Sequence, residues 1–532
     1  MIKKIYIQNY KIFKKFELEL NTGFNILVGD NEVGKSTILE AINLALTKRL
    51  NGRLIEYELT PYLFNACVAS EYIDSIVARK PIAPPEIIIE LYLENNDDLA
   101  SLRGTNNSKK EDCVGVKLEI VFDEDYKEEY ESLIHDNVKV ELIPTEYYKC
   151  QWYSFDHNAL TARGLNIRSS YIDATTIRLQ SGTDYYLQDI IRSSLDAKER
   201  AELNIAYRGL KEAFAETQSI RNINDRLIGK KGAITEKDLS ISMDISQKSN
   251  WETNLVPHLD KLPFQLIGKG EQSALKILLA LDRKATETDI VLIEEPENHL
   301  SFSSMNSLIS KVKDRCLEKQ IILTTHSAYV LNKLGLENLI LLGSSAATTL
   351  RQLPGDTLKY FRKLSGYDTL RLVLARIAIL VEGPSDELIV QKAYLQEHGK
   401  LPIEERVDVI NVRGLSFRRF LDIAKELNKE VVVVTDNDAD YEKNVQEKYK
   451  PYSGAPTIRI CASTDELAPS LEPQLLKSIG LTNLSRMLDR EFSDDQEALD
   501  YMCNNKTECA LRIFDEKTEV AMPEYIRDAV KS

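Results

Sequence analysis

Gly29-Asp30-Asn31-Glu32-Val33-Gly34-Lys35-Ser36 directly follows the apolar run Phe24 to Val28 and satisfies the pattern G-x-x-x-x-G-K-[ST]. In such a loop the glycines let backbone amides turn onto phosphate oxygens, Lys35 reaches the terminal phosphates and Ser36 offers a hydroxyl to Mg²⁺. The helix predicted to begin near Thr37 points its positive end at the same place. A simple glycine turn is the alternative, but the strand-loop-helix order is the one that nucleotide binding requires. The stretch therefore predicts an α/β fold that binds ATP through the following residues: Gly29, Asn31, Gly34, Lys35, Ser36 and Thr37.

A second apolar strand is predicted at Val291 to Ile293, and it ends in Glu294-Glu295. This is the pattern of a Walker B site, in which one acid holds Mg²⁺ through water and the next polarises the attacking water. Glu294 is the predicted magnesium partner and Glu295 the predicted catalytic base. The stretch from Glu295 to Ser301 continues as the D-loop of ATP-binding cassette proteins does.

Two further segments complete a cassette-like order. Gly268-Lys269-Gly270-Glu271-Gln272 opens a predicted helix from Ser273 to Leu281 and resembles the cassette signature, which caps ATP held by a partner subunit. The apolar run Ile321 to Leu323 leads to His326, which resembles the switch histidine that senses the terminal phosphate. Each feature alone is more often a turn or a packing residue, so the prediction rests on their order. We expect nucleotide contacts from Gly268, Gly270, Glu271 and His326, and a homodimer or a higher even homo-oligomer with composite sites.

The spacing of these motifs separates the chain from transporter domains. The interval between Lys35 and Gly268 is far longer than in a transporter and is typical of the RecF and SMC-like branch, which works on DNA. Lys269 stands where the signature usually carries serine, and Glu294 stands where Walker B usually carries aspartate. The sequence therefore leaves open that ATP hydrolysis is slow and that ATP acts mainly as a switch for dimerisation.

The carboxy-terminal third carries a separate set of acids at predicted strand ends. Ile377 to Val381 precedes the stretch Glu382 to Asp386, and Val431 to Val434 precedes Thr435-Asp436-Asn437-Asp438. A strand and a glycine turn at Gly414 lie between them. A helix is predicted from Glu387 to Tyr394. Because the carboxyl ends of parallel strands share one edge, we expect these acids to lie together. An isolated D-x-D is usually a solvated turn, but the combination is the signature of a Toprim domain.

Carboxylate oxygens grouped in this way suit Mg²⁺ or Mn²⁺, which stabilise the charge that develops in phosphoryl chemistry. Glu472, in Ser470-Leu471-Glu472, is a further candidate for the same edge. Lys506 is another, because its ammonium could stabilise the phosphate or the leaving group. A surface lysine beside a predicted helix from Glu508 to Phe514 is the equally open alternative. The histidines lack zinc spacing, so the metal prediction rests on carboxylates.

A cassette ATPase joined in one chain to a Toprim domain resembles the OLD (overcoming lysogenization defect) family of nucleases, which includes the nuclease subunit of Gabija-type antiphage systems. The resemblance covers nearly the whole chain. It implies an ATP-regulated, metal-dependent endonuclease that nicks or cuts DNA in antiphage defence, with a helicase or another defence-system component as a candidate partner. It also implies catalytic roles for Glu382, Asp436, Asp438 and Lys506. One metal ion would be held by Glu382, Asp386 and Glu472, the other by Asp436 and Asp438, with Ser470 as a weaker candidate ligand.

Composition sets limits on these interpretations. The chain has 532 residues, of which 43% are hydrophobic, and it has no apolar stretch long enough for a membrane span, so we expect a cytoplasmic protein with two or three domains. The formal net charge of −15 argues against uniform coating of DNA and favours local basic patches. The scattered cysteines are expected to be reduced. Two patches are candidates for DNA contact, one near Gly414 and one in the amino-terminal hairpin: Arg413, Arg418 and Arg419, and Lys11, Lys14 and Lys15.

These landmarks predict an ABC-type ATPase domain over residues 1–345, a connecting region over 346–375 and a Rossmann-like Toprim domain over 376–532. Strands are expected at Glu86 to Leu93, Gly115 to Phe122 and Val138 to Ile143. A helical and dimerisation insertion is expected over about 187–250, with one helix from Ser193 to Phe214. Other classes stay open: a RecF-like clamp that holds DNA without cutting it, a topoisomerase or primase, for which no further domain is visible, and a nuclease acting on RNA.

Overall fold

The structure of the protein is a computed structural model, and it describes residues 1–135, 140–161, 165, 167–173, 179–180, 183–184, 195–228, 237–244, 251, 256–282, 290–315, 319–343, 346–350, 353–364, 368–414 and 417–531. The chain divides into two compact units. The first joins Met1–Asn25 to Gly34–Thr324, and the second joins Ile26–Val33 to Thr325–Ser532. The boundary therefore passes through the predicted phosphate-binding loop. None of the helices described is both long enough and apolar enough to cross a membrane.

An antiparallel sheet opens the first unit. Strands Ile2–Tyr10 and Phe13–Glu19 form a hairpin, and the sheet continues through Ile87–Leu93 to Cys113–Phe122, which also pairs with Tyr148–Ser154 and with the short Arg103–Gly104. The strand predicted at Val138 to Ile143 is wrong where the structure describes it, over 140–143. Tyr148–Ser154 pairs with Cys113–Phe122 instead. Its Trp152 is buried and donates to the carbonyl of Ala45 at 2.8 Å, which anchors this strand on the core.

Three parallel strands carry the first unit's share of the nucleotide motifs. They lie in the order Ser169–Asp173, Ile290–Glu294 and Gln320–Thr324. The apolar centres of Ile290–Glu294 and Gln320–Thr324 fit strands that are covered on both faces, whereas Ser169–Asp173 is more polar. Helix Lys35–Thr47 packs against them, and it begins at Lys35 rather than near Thr37. Helices Lys269–Asp282 and Phe302–Arg315 pack against each other nearby.

The inserted region is described over 195–228 and 237–244, and the rest of the predicted 187–250 insertion lies mainly outside the described residues. The helix predicted from Ser193 to Phe214 is found at Ala197–Ala215. It begins there because Asp196 accepts a hydrogen bond from the Glu199 amide while the Glu199 carboxylate accepts one from the Asp196 amide. The other α-helices of this unit, among the residues that the structure describes, are Ala66–Val77, Lys127–His135 and Gln218–Ile228.

The second unit begins with a small set of strands and helices. Leu339–Leu342 pairs in parallel with the Ile26–Val28 part of strand Phe24–Val28 and antiparallel with Ala347–Thr349. Helix Ala328–Leu334 precedes these two strands of the second unit. Helices Gly355–Lys363 and Thr369–Leu374 follow them and lie within the predicted connecting region.

A four-stranded parallel sheet forms the centre of the carboxy-terminal part, in the order Val407–Asn411, Ile377–Val381, Glu430–Val434 and Ile458–Cys461. Its strands are almost wholly apolar, as expected when helices cover both faces. The predicted Rossmann-like Toprim fold is confirmed. The helices around it are Pro384–His398, Phe417–Glu426, Leu471–Ile479, Leu481–Leu488, Asp495–Asn504, Lys506–Asp515 and Glu524–Val530.

Candidate functional site

The phosphate-binding loop has two positions where only glycine fits. Gly34 has φ +94°, and a Cβ there would lie 2.5 Å from the ring of Phe13, a separation no real contact shows. A Cβ on Gly29 would lie 2.8 Å from the carbonyl oxygen of Leu342. The first and last glycines of the pattern are thus required by close packing as well as by any ligand. Lys35 is buried, whereas Asn31 and Ser36 are exposed and Thr37 is half-buried.

The Walker A serine and the first Walker B acid meet directly. The Ser36 hydroxyl donates to the Glu294 carboxylate, and the Tyr171 hydroxyl donates to the other oxygen of Glu294 at 2.8 Å. A serine hydroxyl and a carboxylate at one point form the donor pair that magnesium uses in nucleotide sites. Sequence reasoning missed Tyr171, because only pairing of its strand with Ile290–Glu294 brings it there.

The second Walker B acid is held by the D-loop. Glu295 has φ +44°, its amide donates to the Thr324 carbonyl at 3.2 Å, and its carboxylate accepts from the Asn298 side chain at 2.6 Å. This turn fixes the carboxyl just beyond the strand end. The predicted base is therefore in a defined orientation, and Asn298 is a contributor that sequence reasoning did not single out.

The signature-like turn lies against the same D-loop. A Cβ on Gly270 would approach the His299 carbonyl oxygen to 2.3 Å, while one on Gly268 would meet nothing within 4 Å. Gly270 is thus required for packing, whereas Gly268 and Glu271 are exposed. His326 is also exposed and belongs to the second unit, two residues beyond strand Gln320–Thr324.

Backbone turns at the carboxyl edge of the Toprim sheet position the acids. Glu382 follows strand Ile377–Val381 and accepts hydrogen bonds from the Thr435 hydroxyl at 2.7 Å and from the Asp436 amide at 3.2 Å. Asp386 lies in the first turn of helix Pro384–His398 and accepts from the Gly383 amide at 3.0 Å. The predicted E-x-x-x-D and D-x-D segments are therefore joined directly by hydrogen bonds.

Electrostatics shows how closely these acids are grouped. Burial raises the pKa of Asp436 to about 8, with further contributions from the negative charges of Glu382, Asp386, Glu472 and Asp438. Burial, followed by the charge of Glu382, raises the pKa of Asp386 to about 7 against the opposing hydrogen bond from Gly383. Uncompensated negative charge at one point favours a bound cation.

Hard carboxylate oxygens are the donor set that Mg²⁺ and Mn²⁺ prefer, so the residues fit a divalent metal ion. Within the described ranges, no group of three or more His, Cys, Asp or Glu side chains already stands in a metal-holding arrangement. The chemistry of the donors therefore fits the ion.

Lys506 lies at this edge, as predicted. It is the first residue of helix Lys506–Asp515, and its ammonium is 3.1 Å from the Glu472 carboxylate, which is almost fully buried. Burial acts to lower the Lys506 pKa, but the hydrogen bond and charge of Glu472 outweigh it and raise that pKa. The Ser470 hydroxyl also donates to Glu472, at 3.2 Å, so Ser470 supports this acid.

Several contributors to this edge carried no sequence signal. The Asn437 side chain donates to the carbonyls of Ser463 and Asp465 at 2.8 and 2.9 Å, which ties the following loop to the D-x-D turn. Tyr525 is buried, and its pKa is raised well above the ordinary value by burial and by neighbouring carboxylates. Those carboxylates are Asp436, Asp386, Glu382 and Glu472. Tyr525 lies far along the chain from all the motifs, on helix Glu524–Val530.

The candidate DNA-contacting cations differ in their surroundings. Arg413 and Arg418 are exposed, but Arg419 is paired with Asp356 and donates to Thr357 at 3.0 Å. In the amino-terminal hairpin, Lys11 pairs with Glu40 at 2.5 Å and Lys14 with Glu71 at 2.7 Å. Lys11 and Lys14 are therefore each neutralised by a carboxylate, as Arg419 is.

Comparison with known proteins agrees with this architecture. The family model of an AAA ATPase domain matches residues 1–331, and that of the overcoming lysogenization defect protein-like Toprim domain matches residues 373–438. A protein named endonuclease GajA from Bacillus cereus (strain VD045) is 21% identical over 480 residues, covering 84% of this chain and 76% of the relative. An ATP/GTP phosphatase from Helicobacter pylori is 23% identical over 349 residues, covering 62% of this chain and 85% of the relative.

Among solved structures, the carboxy-terminal region of the Xanthomonas campestris pv. campestris OLD protein is 20% identical and covers 30% of this chain and 93% of its own, with a TM-score of 0.24. The matched domains define the class as an ATPase joined in one chain to a Toprim domain. The chain belongs to the AAA ATPase domain family, and its residues 373–438 match the OLD-like Toprim domain, so it resembles the OLD family of nucleases. The predicted family is confirmed.

Proposed function

We propose that the protein is an ATP-regulated, divalent-metal-dependent endonuclease that hydrolyses DNA phosphodiester bonds. The observation that carries the proposal is the acidic carboxyl edge of the Toprim sheet, where Glu382 is bonded to the D-x-D turn and Lys506 is paired with Glu472. The name of the Bacillus cereus relative, an endonuclease, supports the same activity.

On the family resemblance, we assign the acids to two ligand groups. Glu382, Asp386 and Glu472 would hold one ion, and Asp436 and Asp438 the other. Bound Mg²⁺ or Mn²⁺ supplies charge stabilisation at the phosphate and lowers the pKa of a bound water. The chain's own residues orient this set: the Thr435 hydroxyl and the Asp436 amide fix Glu382, and Ser470 supports Glu472. Lys506 places a positive charge where a leaving oxygen becomes negative.

ATP is proposed to act through the first unit. Ser36 and Glu294 are the proposed ligands of the magnesium ion that accompanies ATP. Glu295, which accepts a hydrogen bond from Asn298, is the proposed base for ATP hydrolysis. The exposed Gly268 and Glu271 are available to cap nucleotide in a second copy, which supports a homodimer or a higher even homo-oligomer. His326 is the proposed sensor of the terminal phosphate.

A contact within the second unit supports coupling between nucleotide and nuclease. Asp30 of the phosphate-binding loop lies 3.6 Å from Arg406. Burial lowers the pKa of Lys429, and the charge of Asp30 opposes that shift, so Lys429 faces the same loop. Arg406 and Lys429 immediately precede two parallel strands, Val407–Asn411 and Glu430–Val434, and the second of these leads into the D-x-D turn. A shift of the loop would therefore act on strands that carry the acidic edge.

Antiphage defence in the cytoplasm is proposed as the biological role on the family resemblance alone, and a helicase or another defence-system component is a candidate partner. A RecF-like clamp that holds DNA without cutting it is the second candidate. The observation that favours it is the lack, in the described part of the chain, of a carboxylate group already arranged around a metal position.

The test is cleavage of supercoiled and linear DNA with Mg²⁺ or Mn²⁺, with and without ATP. The intact protein is compared with Asp436→Ala and Lys35→Ala, and a matched RNA is included. Loss of cutting in Asp436→Ala supports the nuclease, and the Lys35→Ala result shows whether ATP licenses or restrains it. ATP-dependent DNA binding with no cutting under any condition would favour the clamp.

A further inference from the structure

The first Walker B acid is bonded through both of its carboxylate oxygens. One oxygen of Glu294 accepts from the Ser36 hydroxyl, and the other accepts from the Tyr171 hydroxyl at 2.8 Å. An ionised carboxylate offers about four acceptor positions on its two oxygens, so these two bonds leave positions for a cation or its water ligands. Tyr171 therefore holds a carboxylate without using up its capacity to bind magnesium.

Strand pairing places the tyrosine at this point. Strand Ser169–Asp173 runs parallel to Ile290–Glu294, and Tyr171 lies opposite Leu292 in the register. Tyr171 therefore lies two residues, or about 6 to 7 Å, before the level of Glu294 along the strands. A long side chain with a donor at its end is needed to span this offset. Tyrosine supplies the donor on a rigid ring, whereas serine or threonine at the same position would be too short.

The departure from the usual Walker B residue explains why such a contact is useful. Glutamate is one methylene longer than the usual aspartate and has one more rotatable bond, so fixing its carboxylate costs more side-chain entropy. Mg²⁺ requires ligands in near-ideal octahedral geometry, which a carboxylate that samples several rotamers supplies poorly. The bond from Tyr171 restricts Glu294 to the orientation in which its other oxygen meets Ser36.

We propose that Tyr171 is a positioning residue of the nucleotide site: its hydroxyl holds one oxygen of Glu294, so that Glu294 and Ser36 are set for the magnesium ion that accompanies ATP. The inference rests on the ATP-binding part of the proposed function and deepens it. Groups that orient metal ligands typically change metal affinity by about 10- to 100-fold when they are removed. Tyr171 acts through Glu294 and not directly on ATP or the ion.

The test measures ATP binding to the full-length protein by calorimetry, at a series of Mg²⁺ concentrations and in EDTA. Tyr171→Phe keeps the ring and removes only the hydroxyl. We expect it to raise the Mg²⁺ concentration required for half-maximal ATP binding by about 10-fold and to leave ATP binding in EDTA unchanged. A hydroxyl with a merely structural role would weaken ATP binding in both conditions, and that result would overturn the proposal.

Tyr92→Phe is the matched control. The Tyr92 hydroxyl donates to Glu90, a buried glutamate of the same unit, at 2.9 Å, but it lies in the antiparallel sheet and away from the nucleotide motifs. Its removal should leave the Mg²⁺ dependence of ATP binding unchanged. A shift of the same size in Tyr92→Phe and Tyr171→Phe would contradict a specific role for Tyr171.

Shortening the acid tests the same bond from its other end. Glu294→Asp restores the usual Walker B residue, but its carboxylate should no longer reach Ser36 and Tyr171 together. Adding Tyr171→Phe to Glu294→Asp should therefore change the Mg²⁺ requirement little, and an equal shift in both backgrounds would overturn the proposal. If Tyr171→Phe folds poorly, Glu294→Asp alone decides, because an unchanged Mg²⁺ requirement would contradict the proposal. The wider nucleotide role fails separately, if Lys35→Ala binds ATP as well as the intact protein does.

Discussion

Replacing Asp436 by asparagine should stabilise the metal-free protein while it abolishes cleavage. The folded-state pKa of Asp436 is about 8 and that of Asp386 about 7, whereas the ordinary value is 3.8. Between these limits the folded protein binds protons that the unfolded chain has released. Stability must therefore fall as pH rises through this window, the reverse of the usual behaviour of paired carboxylates.

The magnitude follows from the same shift. One pKa unit corresponds to about 1.4 kcal/mol, so a shift to about 8 would correspond to about 5 to 6 kcal/mol at alkaline pH. Asp436 is partly exposed, solvent screens its repulsion, and the remaining acids still repel one another, so we expect a gain of about 1 to 2 kcal/mol for Asp436→Asn. For a unit of roughly two hundred residues this is a rise of about 2 to 8 °C in Tm.

The assay is thermal unfolding in EDTA at pH 6 and pH 8.5, repeated with Mg²⁺. The intact protein should lose stability at the higher pH and regain it with Mg²⁺, and Asp436→Asn should respond less to either change. Asp465→Asn is the matched control, because the hydrogen bond from Lys477 lowers the pKa of Asp465, and its neutralisation should destabilise. Lower stability of Asp436→Asn in EDTA at pH 8.5 would refute the reasoning.

Three other changes test separate parts of the account. Gly270→Ala should disrupt the D-loop contact and ATP-dependent assembly measured by light scattering, whereas Gly23→Ala should not, because only the first would clash, at 2.3 Å. Equal behaviour of the two variants would contradict this prediction. Lys506→Gln should lower kcat for cleavage by about 10²- to 10³-fold and leave DNA affinity nearly unchanged. A cleavage rate within about twofold of that of the intact protein would contradict this role of Lys506. Arg406→Gln should preserve ATP binding but reduce the effect of ATP on cleavage, and a full ATP effect would exclude this contact as the coupling route.

Local signals were sufficient for the strand-end motifs. The apolar runs at Ile290–Glu294, Ile377–Val381 and Glu430–Val434 are buried parallel strands, each with an acid at or directly after its end. For the last two, which are neighbours in one sheet, sequence order and sheet geometry together predicted that Glu382 and Asp436 would lie close together. Helix starts were less accurate. Helix Pro384–His398 begins three residues before the predicted Glu387, because a proline suits the first helical turn and Asp386 bonds back to the Gly383 amide.

Long-range neighbours could not be predicted. Tyr171 reaches Glu294 only through strand pairing, and Tyr525 reaches the acids only because the last helix packs on the Toprim sheet. Neither residue belongs to a spaced pattern. The π-helix Glu442–Glu447 likewise has no sequence periodicity of its own to recognise. The strand expected at Val138 to Ile143 is not found over 140–143 for the same reason, because pairing with Cys113–Phe122 decides which segment becomes a strand.

The most direct test of the central claim is single-turnover cleavage of supercoiled DNA by EDTA-treated protein to which Mn²⁺ is added back, with Asp436→Ala measured in parallel. The account predicts no cutting before addition, a rate that rises and saturates with Mn²⁺ in the intact protein, and no recovery in Asp436→Ala. Cutting that persists in EDTA, or an Asp436→Ala variant that recovers with Mn²⁺ as the intact protein does, would contradict a metal-dependent nuclease at the Toprim edge.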